Sequence, residues 1–477
     1  MLIMYSTKSG GDKMNTTNTI DINNIALSFL DTDSYKFSHM ARFNKSMFPK
    51  NMDYAMAYLE ARKGDHTLFF GLNYILKNFK VPTLNEVELA SKLIECHMGK
   101  DIFNKEGWIS VSEKGYLPLK IKAVPEGTII NGKEVLLTVE NTEPGYAWLV
   151  GWFETMLLRI WYPTTVATIS YDIKQMLKKY LEKNGNLNDL DFMLHDFGSR
   201  GTTCAEQAGI GGMAHLINFK GSDTFNSFLY AIQYYNADMN NLSFSIPASE
   251  HSTITSWGKD NEVDAYKNII ETFGGEGKVF SCVSDSYNIW NALKIWKQLE
   301  PTLLKVGGRL VVRPDSGDPV ETPIKVIEEL MNLFGYSYNE KGYKILPNHI
   351  RVIQGDGVYK ESIEMILKTL DEKGISSSNI VFGMGGALLQ RVNRDTFSFA
   401  YKVCSVTIDG DERDVFKSPI GDNSKASKKG RITLNKDKKT VLLKDIDPED
   451  ELLNVVYLNG KILSKDDFST IRERSNM

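Results

Sequence analysis

LHDFGSRG at residues 194–201 follows Phe192 and Met193 and leads, through a helix-like segment, to NFKGSD at 218–223. His195, Asp196, Phe197 and Arg200 fall within six residues, punctuated by Gly198 and Gly201, and Asp223 closes the next short apolar run. An apolar run that ends in Phe-Gly and Arg-Gly reads as a buried strand opening into a loop. An aromatic face beside a guanidinium suits a flat ring next to an anion. Alone, the stretch reads more readily as a strand terminus with a satisfied histidine and a surface arginine, because isolated motifs are often accidental. The pattern downstream decides between the two.

Similar runs end in SIPASEH at 245–251, SCVSDS at 281–286, VVRPDSG at 311–317, IQGDG at 353–357 and VFGMGG at 381–386. Together with the first two they make seven strand–loop units, most of them followed by a helical stretch. That spacing predicts parallel strands with crossover helices. Polar residues at the carboxyl ends predict an α/β fold built on an irregular (β/α) TIM-like barrel, with its site on that face. The residues gathered there are Arg, His, Asp and Gly, the set that holds phosphates, hydroxyls and metal ions.

On either side the patterning changes. Residues 1–24 are polar and aperiodic and predict a disordered tail. In ALSFLDTDSYKFSHM, Asp33 and Ser34 are expected to cap a helix from Tyr35, with Tyr35 and His39 on one face. YAMAYLEARKGD predicts a strand ending near Arg62, with helix after Gly71. Asn131-Gly132 between apolar runs predicts a hairpin. Residues 146–163 predict a buried helix whose Trp148, Trp152 and Trp161 suit a core or a subunit interface equally. Beyond residue 397, FSFAYKVCSVTIDG predicts a strand. A basic loop (Lys417, Lys425, Lys428, Lys429, Arg431) follows, and then a hairpin in RITLNKDKKTVLLKD. The expected domains are an N-terminal α+β unit (25–185), the barrel (186–398) and a β-rich C-terminal segment (399–477) packing with the first.

The 477 residues are 42% apolar and 24% charged, enough for sizeable cores. A net charge of −4 argues against nucleic acid or an anionic membrane as partner. Anion affinity must then come from local basic clusters. Cys96, Cys204, Cys282 and Cys404 have no metal-ligand spacing and read as free thiols in a reducing, cytoplasmic setting. No direct protein ligands for a metal are expected.

Gly355-Asp356-Gly357 and the glycines of GMGG at 383–386 put backbone N–H groups at strand ends, where a phosphate approaches closely. Arg313-Pro314-Asp315 sets a guanidinium beside a carboxylate, suited to phosphate and ribose hydroxyls. His251 precedes an STIT helix start. No nucleophile elbow, Walker A loop or dinucleotide fingerprint is present.

HDFGSRG, NFKGSDT, EHSTIT, VSDSYNIWNA, VVRPDSGDP, RVIQGDGV, GGALLQRVNRD, SKKGR and the early DSYKFSH, in this order, resemble the nicotinamide phosphoribosyltransferase family. The resemblance implies a type II phosphoribosyltransferase, a homodimer with shared sites. It implies transfer of phosphoribosyl from phosphoribosyl pyrophosphate to nicotinamide in NAD salvage, with Mg2+ accompanying pyrophosphate and ATP as a coupled activator. Phe197, with Tyr35 from the other subunit, would sandwich the pyridine ring, and Asp223 would accept from the carboxamide. Arg200, His251 and Arg313 would meet pyrophosphate, with Asp285 and Asp315 beside them. Gly355 and Asp356 would hold the ribose, and Gly385, Gly386 and Arg394 the 5′-phosphate. Arg62, Lys402, Lys417 and Lys425 would come from the other subunit, and His251 would carry phosphate from ATP. The chain departs from the family pattern in a shorter loop after Arg62 and in Met384 and Ala387 of the GMGGA turn.

Overall fold

The computed structural model describes residues 28–42, 45–420 and 426–477. The tail expected over 1–24 and Lys425 lie outside the described residues. Two sheets organise the rest. Six parallel strands form an α/β half-barrel in the order Val279–Val283, Arg309–Arg313, Ile350–Gln354, Ile380–Met384, Leu194–Asp196, Gly221–Ser222. The last strand of the series, Ile380–Met384, thus lies beside the first, Leu194–Asp196. SIPASEH, expected to end a strand, makes only single parallel bridges around it, Gly221 with Phe244 and Ala248 with Ser281. Pro247 lacks the N–H that a regular ladder needs there.

The second sheet has seven antiparallel strands drawn from both ends of the chain. Its order is Asp411–Asp414, Phe399–Ile408, Met52–Ala61, Val135–Asn141, Leu119–Ala123, Asn454–Leu458, Lys461–Ile462. Glu126 links the two halves. Its buried carboxylate accepts from Gly71 N (2.6 Å), Asn73 N (2.8 Å) and the Tyr235 hydroxyl (2.8 Å). The long helix Trp161–Asn184 packs on both sides, with Thr164 donating to Phe70 O and Thr168 accepting from Leu68 N. The terminal helix Phe468–Ser475 sends the Arg472 guanidinium onto the carbonyls of Leu216, Asn241 and Leu242.

Three local expectations change. Ile129–Asn131 pairs with His66–Leu68 rather than across Asn131-Gly132, and Val135–Asn141 pairs with its sheet neighbours instead. Gly132 is needed because its N–H bonds Asp65 O (2.8 Å) and a Cβ would lie 2.1 Å from Gly64 O. Residues 146–163 hold two short helices, Ala147–Trp152 and Glu154–Leu158, and the start of the long one. Trp148 and Trp152 are core residues, edge-on to the fully buried Trp108. Asp33 precedes a 3-10 turn, Ser34–Ser38, without a side-chain cap, although Tyr35 and His39 do share a face with rings 5.3 Å apart.

Gly132→Ala forces two backbone segments apart and is expected to destabilise the fold by about 1–3 kcal/mol. The check is the denaturant midpoint, and an unchanged midpoint would show that the 64–65 turn yields freely.

Candidate active site

Strand pairing places Asp196 opposite Met384, and Phe197 N donates to Met384 O at 3.0 Å. The Phe197 ring therefore lies on bare backbone. A Cβ at Gly383 would stand 2.0 Å from it and one at Gly355 3.3 Å. The Arg313 guanidinium sits 5.8 Å from the ring centre. Beneath the turn, Asp196 is fully buried and its Oδ1 accepts from Gly198 N at 2.7 Å. Burial pushes this carboxyl up to about 6, against the pull of the Gly198 N–H. The turn is thus pinned from below, and Arg200 stands exposed with no partner among the described residues.

Asp223 N donates to Asp196 O at 2.9 Å, bringing the second carboxylate beside the ring-bearing turn. Asp223 is exposed, and its Oδ1 accepts from the Ser245 hydroxyl. His195 fills the space that a Cβ at Gly221 would need, 2.4 Å from Nδ1, and burial holds its imidazole low.

His251 begins a short helix at the ends of the neighbouring strands. Its Nδ1 lies 3.1 Å from Ser286 Oγ, and its Nε2 lies 3.4 Å from Asp315 Oδ2 and 3.8 Å from Asp285 Oδ1. Asp315 Oδ1 accepts from Arg313 Nη2 (2.6 Å) and Nε (3.1 Å). Asp285 Oδ2 accepts from Asp315 N (2.9 Å) and Ser316 Oγ (2.5 Å), while Oδ1 is buried without a hydrogen bond. Among the described residues no three His, Cys, Asp or Glu side chains gather as a metal cage.

The glycine turns complete this face. Gln354 Nε2 holds Asp356 O at 2.7 Å, and Gly357 has φ +63° with Pro319 against it. A Cβ at Gly201 would meet Gln390 Oε1 at 2.3 Å and one at Gly386 would meet it at 3.0 Å, so both turns close on one side chain. Gly385 leads into the helix Gly386–Leu389. Met384 is buried, which keeps its bulk out of the turn.

Tyr35, Arg62, Lys402 and Lys417 stand apart from this cluster. Among the described residues no hydrogen bond, ion pair or ring contact joins them to Phe197, Arg200, Asp223 or His251 within one chain. Tyr35 is 56% exposed on a turn anchored by Lys36, whose Nζ bonds Gly151 O (2.8 Å) and Glu154 Oε2 (2.6 Å). Arg394, 3.1 Å from Asp395, belongs to the loop whose Phe397 O accepts from Arg62 N at 2.9 Å. Sequence reasoning put Gly383 in the GMGG turn but not against the Phe197 ring, and it missed Ser245 and Ser286. The glycine was visible in GMGG and Ser286 in SCVSDS, but nothing local marks a serine as the partner of an acid 22 residues away.

Residues 192–460 match the Nicotinate phosphoribosyltransferase (NAPRTase) family, and residues 26–121 match the Nicotinamide phosphoribosyltransferase N-terminal domain. A Xanthomonas campestris protein named nicotinamide phosphoribosyltransferase is 41% identical, covering 94% of this chain and 97% of its own. One of the same name from Acinetobacter baylyi is 31% identical, covering 93% and 95%. The crystal structure of nicotinate-nucleotide pyrophosphorylase from Pyrococcus furiosus shares the fold, with a TM-score of 0.60 and 17% identity over 97% of this chain and 100% of that one. With more than half its length matched and relatives aligned nearly end to end, the chain belongs to the nicotinate phosphoribosyltransferase family.

Proposed function

We propose that the protein transfers phosphoribosyl from phosphoribosyl pyrophosphate to nicotinamide, giving nicotinamide mononucleotide and pyrophosphate in NAD salvage. The observation that carries this is Asp223, an exposed carboxylate beside the Phe197 turn with one oxygen taken by Ser245. The other oxygen suits a carboxamide NH2. A carboxylate ~4 Å from nicotinate's own charge would cost on the order of 4 kcal/mol at an effective dielectric near 20. Relatives sharing most of the chain carry the nicotinamide name.

In this reading the ring rests on Phe197, and its nitrogen attacks the ribose carbon as the bond to pyrophosphate breaks. Positive charge grows on the sugar and negative charge on the leaving group. Arg200 and Arg313 stabilise the leaving group, and the 355–356 turn orients the ribose. The pyridine nitrogen has no proton to lose, so no general base is required. Mg2+ accompanying pyrophosphate would supply further charge neutralisation, and Asp285, whose Oδ1 has no hydrogen bond among the described residues, would face it. Gly385, Gly386 and Arg394 take the 5′-phosphate.

The reading extends to a (β/α) barrel closed through residues 244–248, with units at 25–185, 186–398 and 399–477. Four unpaired cysteines support a cytoplasmic setting. It also makes the enzyme a homodimer in which Tyr35, Arg62, Lys402, Lys417 and Lys425 serve the other subunit's site. His251, exposed and held by Ser286, takes phosphate from ATP and couples its hydrolysis to turnover.

Asp223→Asn removes the repulsion and one strong acceptor, so nicotinamide use falls and nicotinate use rises relative to it. An unchanged ratio of the two kcat/KM values overturns the role given to Asp223.

His251→Ala is expected to abolish ATP hydrolysis coupled to turnover and to leave ATP-independent synthesis measurable. ATP stimulation equal to the parent would reduce His251 to a structural role.

Tyr35→Ala and Asp223→Ala homodimers should each be nearly inactive. Refolded together, they should recover about a quarter of parental activity, because half the dimers are mixed and each has one intact site. Heterodimers shown by mass spectrometry to form without recovery would return Tyr35 to its own chain.

A further inference from the structure

Strands Met52–Ala61 and Phe399–Ile408 pair so that Tyr58 faces Lys402 and Glu60 faces Ala400. Residues two apart on a strand share a face, so Tyr58, Glu60 and Lys402 stand together, with Arg62 one step past the strand end. Part of the basic loop covers them. Lys428 N donates to the Tyr58 hydroxyl at 2.8 Å, and Lys428 Nζ reaches Glu60 Oε2 and Lys133 O. The Glu60 side chain is only 4% exposed. A carboxylate this deep is costly unless it is paired, and here two cations hold it.

Arg62 donates Nε to Glu60 Oε1 at 2.7 Å, and its Nη2 is buried with no hydrogen-bond partner. Burial opposes the Arg62 charge, but the bond and the attraction of Glu60, together with the Tyr58 hydroxyl, hold its pKa up. Among the described residues, Lys402 Nζ hydrogen-bonds the Tyr401 carbonyl alone, at 2.7 Å. Burial pushes its ammonium down; Glu154 pulls it up, while Arg62, Lys36 and Lys417 push it down further. These cations repel one another, and none of the contacts described for Lys402 counters that repulsion directly.

We propose that Glu60 is a positioning residue for the phosphate-side cations, a role that nothing in the sequence reading assigned. Its carboxylate takes the Arg62 Nε and so orients the guanidinium, whose side chain is 18% exposed, for a phosphate. Through Lys428 it also fastens one end of the basic loop that carries Lys417. The proposal rests on the reading that Arg62, Lys402 and Lys417 serve phosphoribosyl pyrophosphate and ATP.

The experiment compares Glu60→Gln, Glu60→Asp, Lys428→Met and Arg62→Ala as full-length enzymes, with KM and kcat for each substrate and a thermal midpoint for each variant. Glu60→Gln keeps the shape but loses charge-assisted bonds to two cations, so KM for phosphoribosyl pyrophosphate rises about tenfold or more. The nicotinamide KM stays within about twofold, since the ring pocket is untouched by this loss. Lys428→Met moves the same KM in the same direction without touching the ring pocket, Glu60→Asp recovers part of the loss, and Glu60→Gln adds little on top of Arg62→Ala. An unchanged pyrophosphate-side KM in Glu60→Gln, with Arg62→Ala impaired, sinks the proposal alone. So does a parallel rise in both KM values with a lowered midpoint, which is what a merely structural residue would give. Arg62→Ala with parental KM values removes the underlying reading and the proposal with it. Should Glu60→Gln fail to fold, Lys428→Met and Glu60→Asp carry the same comparison.

Discussion

The Phe197 ring pressed against glycine backbone fixes how the rest of the site must be built. No side chain fits between that ring and the strand at Gly383, so Leu194–Asp196 and Ile380–Met384 are locked in one register. A one-residue slip would put Phe382 or Met384 under the ring and reverse every side chain on the strand. The same lock sets the level at which Asp223, Arg313 and the 353–357 turn meet, because each is bonded to a neighbour in the sheet.

Acids hold cations both at the half-barrel strand ends and on the antiparallel sheet, and their placement has a common physics. Asp315 holds Arg313, Asp285 holds the 315–316 turn, Glu154 holds Lys36 and Glu60 holds Arg62 with Lys428. Cations gathered without such partners would repel and splay. An acid at the base of a guanidinium fixes its direction while leaving other N–H groups for the ligand. Arg200 is the exception, exposed and without a partner among the described residues, and its aim is left to the turn beneath it.

Much of the half-barrel was legible because each strand end announces itself: an apolar run stops at Gly, Asp or Arg, and a helical period follows. The residue types at those ends also suggested the chemistry, and the structure gathers Phe197, Asp223, His251 and Arg313 at the ends of the half-barrel strands. The Asn131-Gly132 turn misled because its hairpin signal is local, whereas the glycine is required by the 64–65 backbone packed against it. Strand partners were chosen by the larger sheet. Residues 244–248 were over-read as a strand since Pro247 denies them a ladder. Glu60 was invisible: a glutamate in an alternating strand looks solvated, and only the covering loop shows that it is buried.

The antiparallel sheet places Phe399–Ile408 directly between Asp411–Asp414 and Met52–Ala61, and Asn454–Leu458 beside Leu119–Ala123. During synthesis the strand Met52–Ala61 therefore waits, one edge open, while more than three hundred residues emerge. The half-barrel can begin to assemble from neighbouring units, yet the edge of its first strand that meets Ile380–Met384 also stays open until those residues arrive. Contacts of such long sequence separation form slowly and leave strand edges available to other chains. The nascent protein is thus most vulnerable to misassociation late in translation, and the last strands to appear are the ones that seal both sheets.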